Sequence, residues 1–154
     1  MNRHKYEVFG CVLVSALFSL FVTVSAGRIL GLEPMLTRAI APRSITVALA
    51  LPIAASLGGP AASTSITAAA VVLTGLLGAA LAQTTLNKFG FKGDPISRGL
   101  ATAGSAHGLG TAALARDEPE ALPFCALAYG LMGIVSTVLV SIKPIASALI
   151  TIAG

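Results

Sequence analysis

One histidine in a glycine-rich apolar run is the residue of this sequence best suited to carry chemistry. His107 lies at the centre of residues 99–115, a 17-residue run without Asp, Glu, Lys or Arg. An ionisable group at membrane depth is costly and usually faces a cavity or a partner. Imidazole can donate to a carboxylate or carry a proton near neutral pH. The sequence therefore predicts a substrate-binding histidine, while a packing role in a Gly104-x-x-x-Gly108 seam stays open.

The run around His107 also has the composition of an interrupted helix. Four of its residues are glycine, and a glycine inside a helix costs roughly 1 kcal/mol relative to alanine. In lipid, unwound backbone is tolerated only where it is buried in protein or lines a cavity, and the free N–H groups of such a break suit an anion. We predict that Gly108 and Gly110 belong to this break and that Ser105 and Thr111 add hydroxyl groups to the site.

A second interrupted segment follows Arg43. Residues 44–57 form a stretch of only 14 residues with Pro52 inside it, and Gly58-Gly59-Pro60 ends it. Because it is too short to cross a bilayer comfortably, we expect a broken or re-entrant segment. Arg43 can supply a fixed cation for a carboxylate, with Thr46 adding a hydroxyl. Alternatively, Arg43 reaches lipid phosphates and Thr46 caps a helix.

An intramembrane serine hydrolase is the enzymatic alternative, and the spacing argues against it. Ser105 and His107 are two residues apart, so on a continuous helix their side chains point about 200° apart and cannot form a catalytic pair. The sequence has no Gly-x-Ser-x-Gly, zinc-ligand, Walker or Rossmann pattern. Cys11 and Cys125 lie inside apolar runs, as small packing residues do. We therefore expect a protein that is not an enzyme and uses no cofactor or metal.

The composition indicates a membrane protein. Hydrophobic residues make up 55% of the chain and charged residues 10%, with a mean hydropathy of +0.89, whereas a soluble domain carries about 25% charged residues. The net charge of +4 is small and scattered, which argues against nucleic acid and makes the lipid bilayer the expected partner. We predict an all-α transmembrane fold with about five apolar helical stretches, two of them broken or discontinuous, at residues 8–26, 44–57, 66–86, 99–115 and 121–142.

The distribution of Lys and Arg gives a first prediction of topology. If all five stretches cross, seven basic residues lie on one side and three on the other. If residues 44–57 and 99–115 re-enter instead, the division is four to six. Because cytoplasmic loops carry an excess of Lys and Arg, the larger bias favours five crossings. That topology puts Arg43 on the same side as Lys88 and Lys143.

Two motifs around the histidine resemble those of the LrgB family. The family pattern D-P-x-x-R-G-x-A, followed by S-H-x-x-G-T-A, is similar to Asp94-Pro95-Ile96-Ser97-Arg98-Gly99-Leu100-Ala101 and to Ser105-Ala106-His107-Gly108-Leu109-Gly110-Thr111-Ala112. Bacterial members usually have serine where Ala106 stands, so a role for that hydroxyl does not carry over. The resemblance covers nearly the whole chain, and residues 1–154 are expected to form a single LrgB-like transmembrane domain.

The run Glu118-Pro119-Glu120-Ala121-Leu122-Pro123-Phe124 resembles the plastid branch of this family. That branch implies exchange of small 2-hydroxy carboxylates, glycolate and glycerate, across the chloroplast inner envelope in photorespiration. A proton is a candidate coupling ion. His107 or Arg43 would then bind the carboxylate, and the hydroxyl groups of Thr46, Ser105 and Thr111 would bind the 2-hydroxyl.

The same resemblance implies a protein partner and an alternative function. The plastid branch joins an LrgA-like half to an LrgB-like half, so this chain is expected to be a C-terminal fragment whose partner is an LrgA-like half or subunit. A homo-oligomer stays open. In a bacterium, the resemblance would instead imply an inner-membrane, holin-like accessory protein that modulates murein hydrolase export.

Overall fold

The computed structural model describes residues 5–59 and 63–154, and all regular structure in these two ranges is helical. The predicted all-α class is therefore confirmed. The helices of the described ranges are α1 (Lys5–Ile29), α2 (Pro34–Ile40), α3 (Val47–Ser56), α4 (Thr64–Lys88), α5 (Pro95–Asp117), α6 (Leu122–Ser141) and α7 (Lys143–Ala153).

Three of these helices, α1, α4 and α6, are long and apolar enough to cross a membrane. They correspond to the three longest predicted stretches. α1 and α6 run in the same direction, because Val12 packs with Cys125 near the start of α6 and Val24 packs with Val140 near its end. We call the side where α1 and α6 begin the N face, and the side where they end the C face.

Helix α4 crosses in the opposite direction. Near its start, Thr67 donates to the Ala39 carbonyl at 2.8 Å, close to where α1 ends. Near its end, Asn87 accepts from Arg98 at 2.8 Å, close to where α6 begins. α4 therefore carries the chain from the C face back to the N face.

Helix α5 enters from the N face and returns to it. Arg98, in its first turn, donates to Glu118 just after its end, with an Nε–Oε2 distance of 2.6 Å. Between these ends His107 has φ 38° and ψ −130°, a non-helical conformation at which the chain reverses. The predicted break is confirmed, and α5 is a re-entrant hairpin of two arms. We call residues 95–117 the second hairpin.

The segment from α2 to α3 is also re-entrant, but from the C face. Gly58, after α3, lies beside Arg38 of α2, since a Cβ added there would be 3.5 Å from the Arg38 Nη1. Between them, Leu49 in the first turn of α3 contacts Gly133 in the middle of α6. We call residues 34–57 the first hairpin, and its tip includes Arg43 and Ser44.

The predicted five crossings are wrong, because both short segments return to the face from which they enter. Lys88 ends α4 on the N face, whereas Lys143 begins α7 on the C face, so the two do not share a side. The charge count treated Arg43 and Arg98 as loop residues, whereas Arg43 lines a cavity and Arg98 is held in an ion pair with Glu118. The re-entrant division of basic residues, four to six, then applies. Among the described residues, the basic residues at the N face are Lys5, Lys88, Lys92, Arg98 and Arg116.

Helix α7 lies along the C face. Arg28, at the end of α1, donates from Nη1 to the Thr151 carbonyl at 3.1 Å. Leu149 and Ala153 pack with Leu20 of α1 in a buried cluster. Helix α7 therefore packs its apolar side chains against the part of α1 that lies nearest the C face.

Candidate functional site

An open cavity of about 640 Å³ lies between α1, the tip of the first hairpin and the first arm of the second hairpin. Its wall extends from Phe91 and Ser97 near the N face to Arg43 and Ser44 in the interior. A volume of this order is typical of a small-molecule site. The tip of the first hairpin and the first arm of the second, which enter from opposite faces, thus border one space.

Arg43 is the cation of this cavity wall. It is half-buried, and its Nε donates to the Thr23 Oγ1 of α1 at 3.0 Å. This bond fixes the side chain while using one of the five guanidinium N–H donors. Arg43 can therefore present a planar cation to an anion in the cavity, and its predicted role in substrate binding stays a prediction.

Hydroxyl groups on α1 lead along the cavity to Arg43. Ser15 and Ser19 line it, and Thr23 donates to the Ser19 carbonyl at 2.6 Å. The three residues follow one another at intervals of four, so they form a single stripe on the helix. Sequence reasoning missed this stripe, although the spacing of its hydroxyls in an apolar span was a usable signal.

Ser105 lies on the opposite wall, on the first arm of the second hairpin. Its Oγ donates to the Ala101 carbonyl at 2.8 Å, which leaves oxygen lone pairs able to accept from a ligand hydroxyl. Gly104 lines the cavity beside it. Of the predicted site residues, Arg43 and Ser105 are therefore brought to the same cavity.

His107 lies at the tip of the second hairpin and faces α4. It is 6% exposed, and its Nε2 is 3.0 Å from the Val71 carbonyl oxygen. Because a carbonyl can only accept, this nitrogen carries the proton. The ring lies against Gly75, where an added Cβ would be 2.6 Å from Nε2. The cavity wall does not include His107, and its predicted contact with substrate stays a prediction.

The other predicted site residues also lie away from the cavity wall. Thr111 bonds the His107 carbonyl at 3.1 Å, in the second arm. Gly110 packs against Thr102 of the first arm, where an added Cβ would be 2.5 Å from its methyl group. Gly108 is half-buried next to the break, and Thr46 is the residue before α3. A direct role for these four residues stays a prediction.

The mouth of the second hairpin holds a charge cluster around the buried side chain of Arg98. Arg98 is 6% exposed, and it pairs with Glu118 through both carboxylate oxygens. Its Nη1 also donates to the Asn87 Oδ1 at 2.8 Å and to the Phe91 carbonyl at 3.0 Å. The hydrogen bonds from Arg98 to Glu118 raise the pKa of the Arg98 guanidinium. This cluster ties the end of α4 to both ends of α5.

Two further polar features complete the N face. Asp94 accepts the Ile96 N–H at 3.1 Å and so caps α5, as its position before Pro95 predicts. Arg116 donates to the neighbouring Asp117 at 2.7 Å on the exposed surface, and these bonds hold the pKa of Asp117 below its ordinary value. Across residues 5–59 and 63–154, no cluster of three or more His, Cys, Asp or Glu could hold a metal ion.

Comparisons with known proteins agree with the motifs around His107. A family model described as the LrgB-like family matches residues 1–145. The chain is 53% identical over 154 residues to the "Plastidal glycolate/glycerate translocator 1, chloroplastic" of Arabidopsis thaliana, covering 100% of this chain and 30% of that protein. It is 29% identical over 141 residues to the "Antiholin-like protein LrgB" of Bacillus cereus strain B4264, covering 91% of this chain and 59% of that protein.

These relatives bear names of membrane proteins and none of an enzyme. The chain spans less than two thirds of the length of either relative, and no solved structure matches it. Together with its three membrane-spanning helices, the family match identifies an integral membrane protein. The chain belongs to the LrgB-like family.

Proposed function

We propose that this member of the LrgB-like family carries small 2-hydroxy carboxylates, such as glycolate and glycerate, across the chloroplast inner envelope. The observation that carries the proposal is the position of Arg43, a half-buried cation on a cavity between α1, the tip of the first hairpin and the first arm of the second. A charge inside a membrane protein is costly and marks substrate pathways. The name of the Arabidopsis relative supports these substrates.

The chemistry of the cavity fits such an anion. Arg43 would bind the carboxylate with two parallel N–H donors. The hydroxyl groups of Ser15, Ser19 and Ser105 on the two walls would bind the 2-hydroxyl of the acid. A cavity of about 640 Å³ is large for a two- or three-carbon acid, so the substrate would bind with several waters.

His107 enters this proposal as the residue that positions the second hairpin. Its bond to the Val71 carbonyl holds the tip against α4, and Ser105 is two residues away on the first arm. The proposal also includes a coupled proton carried by His107. It further includes a partner, which is either an LrgA-like protein or a second copy of the chain. A partner is expected because the relatives are longer than this chain.

The experiment that tests this proposal measures the uptake of labelled glycolate into liposomes that contain the full-length protein. Replacing Arg43 with Gln should raise the KM for glycolate roughly 10- to 100-fold, because a charge-assisted hydrogen bond is worth about 1.5–3 kcal/mol. Arg43→Lys should recover part of the affinity. Arg116→Gln is the matched control, since Arg116 is an exposed arginine outside the cavity. A KM unchanged by Arg43→Gln would contradict the proposal.

The second candidate is an accessory role in murein hydrolase export. It is favoured by the names of the Bacillus relatives, which are antiholin-like proteins. The two functions can be distinguished by expressing the chain in a bacterium that lacks its own LrgB-like protein. Changed murein hydrolase release that is insensitive to Arg43→Gln, without glycolate uptake, would favour this second function.

A further inference from the structure

The chain contains two segments of the same design. Each begins with a helix of 25 residues, α1 and α4, and each helix has a basic residue in its last turn, Arg28 and Lys88. A glycine in the left-handed region follows each span, Gly31 with φ 70° and Gly90 with φ 85°. Two spans of equal length, each followed by a basic residue and a left-handed glycine, are the first sign of a repeat.

The hairpins that follow begin in the same way. An acidic N-cap and a proline start each one, Glu33-Pro34 in the first hairpin and Asp94-Pro95 in the second. An arginine follows within about one turn, Arg38 and Arg98, and each lies beside the end of its own hairpin. The first arms therefore begin with the same residue types, an acidic residue, a proline and an arginine.

The second arms share a five-residue pattern. Thr46-Val47-Ala48-Leu49-Ala50 corresponds to Thr111-Ala112-Ala113-Leu114-Ala115, with Thr, Ala, Leu and Ala in common. Both leucines pack on α6: Leu49 contacts Gly133, and Leu114 belongs to the cluster with Cys125. In an alanine-rich chain this pattern alone would be weak, but it falls at the equivalent place in each hairpin.

The two segments have opposite orientations in the membrane. α1 runs from the N face to the C face and its hairpin enters from the C face, whereas α4 and its hairpin do the reverse. We infer that residues 5–57 and 64–117 form an inverted-topology repeat of one span and one re-entrant hairpin. The tips that carry Arg43 and His107 are then equivalent parts of the repeat.

The two halves of this repeat differ, because one borders an open cavity and the equivalent surfaces of the other are in contact. The open cavity lies between α1, the tip of the first hairpin and the first arm of the second. The equivalent surfaces of the other half are in contact: Thr67 of α4 bonds Ala39 in the first arm of the first hairpin at 2.8 Å, and His107 lies against Gly75. One route, from the N face, is open, and its counterpart is closed.

The repeat therefore predicts a second access route, from the C face along α4 and α2, closed in this structure by the Thr67–Ala39 and His107–Gly75 contacts. This route rests on the proposed function, because an exchanger must expose one site to both faces in turn. Opening it requires the first hairpin to move away from α4 while the cavity beside α1 closes.

Cysteine accessibility tests the second route in the full-length protein. Cys11 is a native reporter, because it is exposed and lines the open cavity, while Cys125 is buried. Thr67→Cys reports on the closed route, since Thr67 is 1% exposed. Gly75→Ala should force the His107 contact apart, and Gly130→Ala is its control, because a Cβ at Gly130 meets nothing within 4 Å.

We expect a membrane-impermeant maleimide added at the C face to label Thr67→Cys roughly fivefold faster in Gly75→Ala than in Gly130→Ala. Labelling Cys11 first with a bulky maleimide should slow the reaction at position 67, because the two routes open in alternation. An unreactive Thr67→Cys in both backgrounds, or a reaction indifferent to the label on Cys11, would overturn the inference.

This test separates the inference from the proposed function. Labelling requires no substrate, and the Cys11 experiment does not depend on Gly75→Ala folding correctly. Slower labelling at position 67 after Cys11 is labelled, together with an unchanged glycolate KM in Arg43→Gln, would retain the repeat and reject the substrate site. A raised glycolate KM in Arg43→Gln, together with labelling at position 67 that is indifferent to the label on Cys11, would retain the site and reject the second route.

Discussion

At the mouth of the second hairpin, Arg98 binds Glu118, Asn87 and the Phe91 carbonyl, whereas at the mouth of the first hairpin Arg38 donates to the Gly154 carbonyl at 3.0 Å. The Nε of Arg38 is buried and has no hydrogen-bond partner among the described residues. Equivalent arginines thus hold two equivalent hairpins with different strength. Because fewer hydrogen bonds hold it, we expect the first hairpin to open more readily than the second.

The largest effect is expected when the Arg98–Glu118 pair is broken. Glu118→Gln leaves a guanidinium that is 6% exposed without its counter-charge, which should cost about 3 kcal/mol or more in the free energy of unfolding. Thermal unfolding in detergent measures the loss. Unfolding indistinguishable from wild type would mean that Arg98 does not fix the second hairpin.

The neighbouring pair Arg116–Asp117 is the control for this variant. The pKa of Asp117 is lowered by Arg116, so any stabilisation exists above the ordinary pKa of an aspartate and disappears as the pH falls through the lowered value. Both side chains are well exposed, and solvent screens their interaction. Asp117→Asn should therefore leave the Tm unchanged at neutral pH.

An intermediate effect is expected at the tip of the second hairpin. His107→Ala removes the bond to the Val71 carbonyl and should lower the free energy of unfolding by about 1–3 kcal/mol. Because the ring faces α4 rather than the cavity, the glycolate KM should change little. A large rise in KM with normal stability would instead support His107 as a direct substrate ligand. His107→Asn, which can still donate but cannot titrate, would show whether pH dependence of transport depends on this residue.

The smallest effect is expected at the mouth of the first hairpin. Arg38→Gln removes its bond to Gly154 and should cost about 0.5–1.5 kcal/mol. Hydrogen exchange in residues 34–57 should become faster. Arg28→Gln is the matched control, because Arg28 also donates to the end of α7 but lies outside the hairpin. Equal exchange in both variants would show that α7, rather than the hairpin, responds to Arg38.

Much of the fold follows from sequence patterns that depend on neighbours along the chain. The three spans follow from their apolar length, the cap at Asp94 from the proline after it, and the break near His107 from clustered glycines. Each of these features is decided within a few residues. The sequence therefore sufficed to predict them.

The re-entrant topology and the position of Arg43 in the candidate site depend on contacts between residues that are distant in the sequence. Arg98 and Glu118 are 20 residues apart, and Arg43 and Thr23 are also 20 apart, so local charge and spacing could not reveal either pair. The direction of His107 depends on a backbone with φ 38°, which interrupts the helix and turns the ring towards Val71 of α4. The hydroxyl stripe of α1, in contrast, recurs at intervals of four residues and was predictable from the sequence.

Helix α4 meets the second hairpin through glycine, and this has a consequence for the speed of any rearrangement. A side chain at Gly75 would collide with His107, and one at Gly78 with the Ser105 carbonyl, so bare Cα atoms form the contact there. Such a surface has no rotamers that must be reordered when a neighbour shifts, and reordering long side chains carries an entropic cost. Larger residues at these two positions would therefore hold α4 and the hairpin apart and weaken their packing, which is the effect expected of Gly75→Ala.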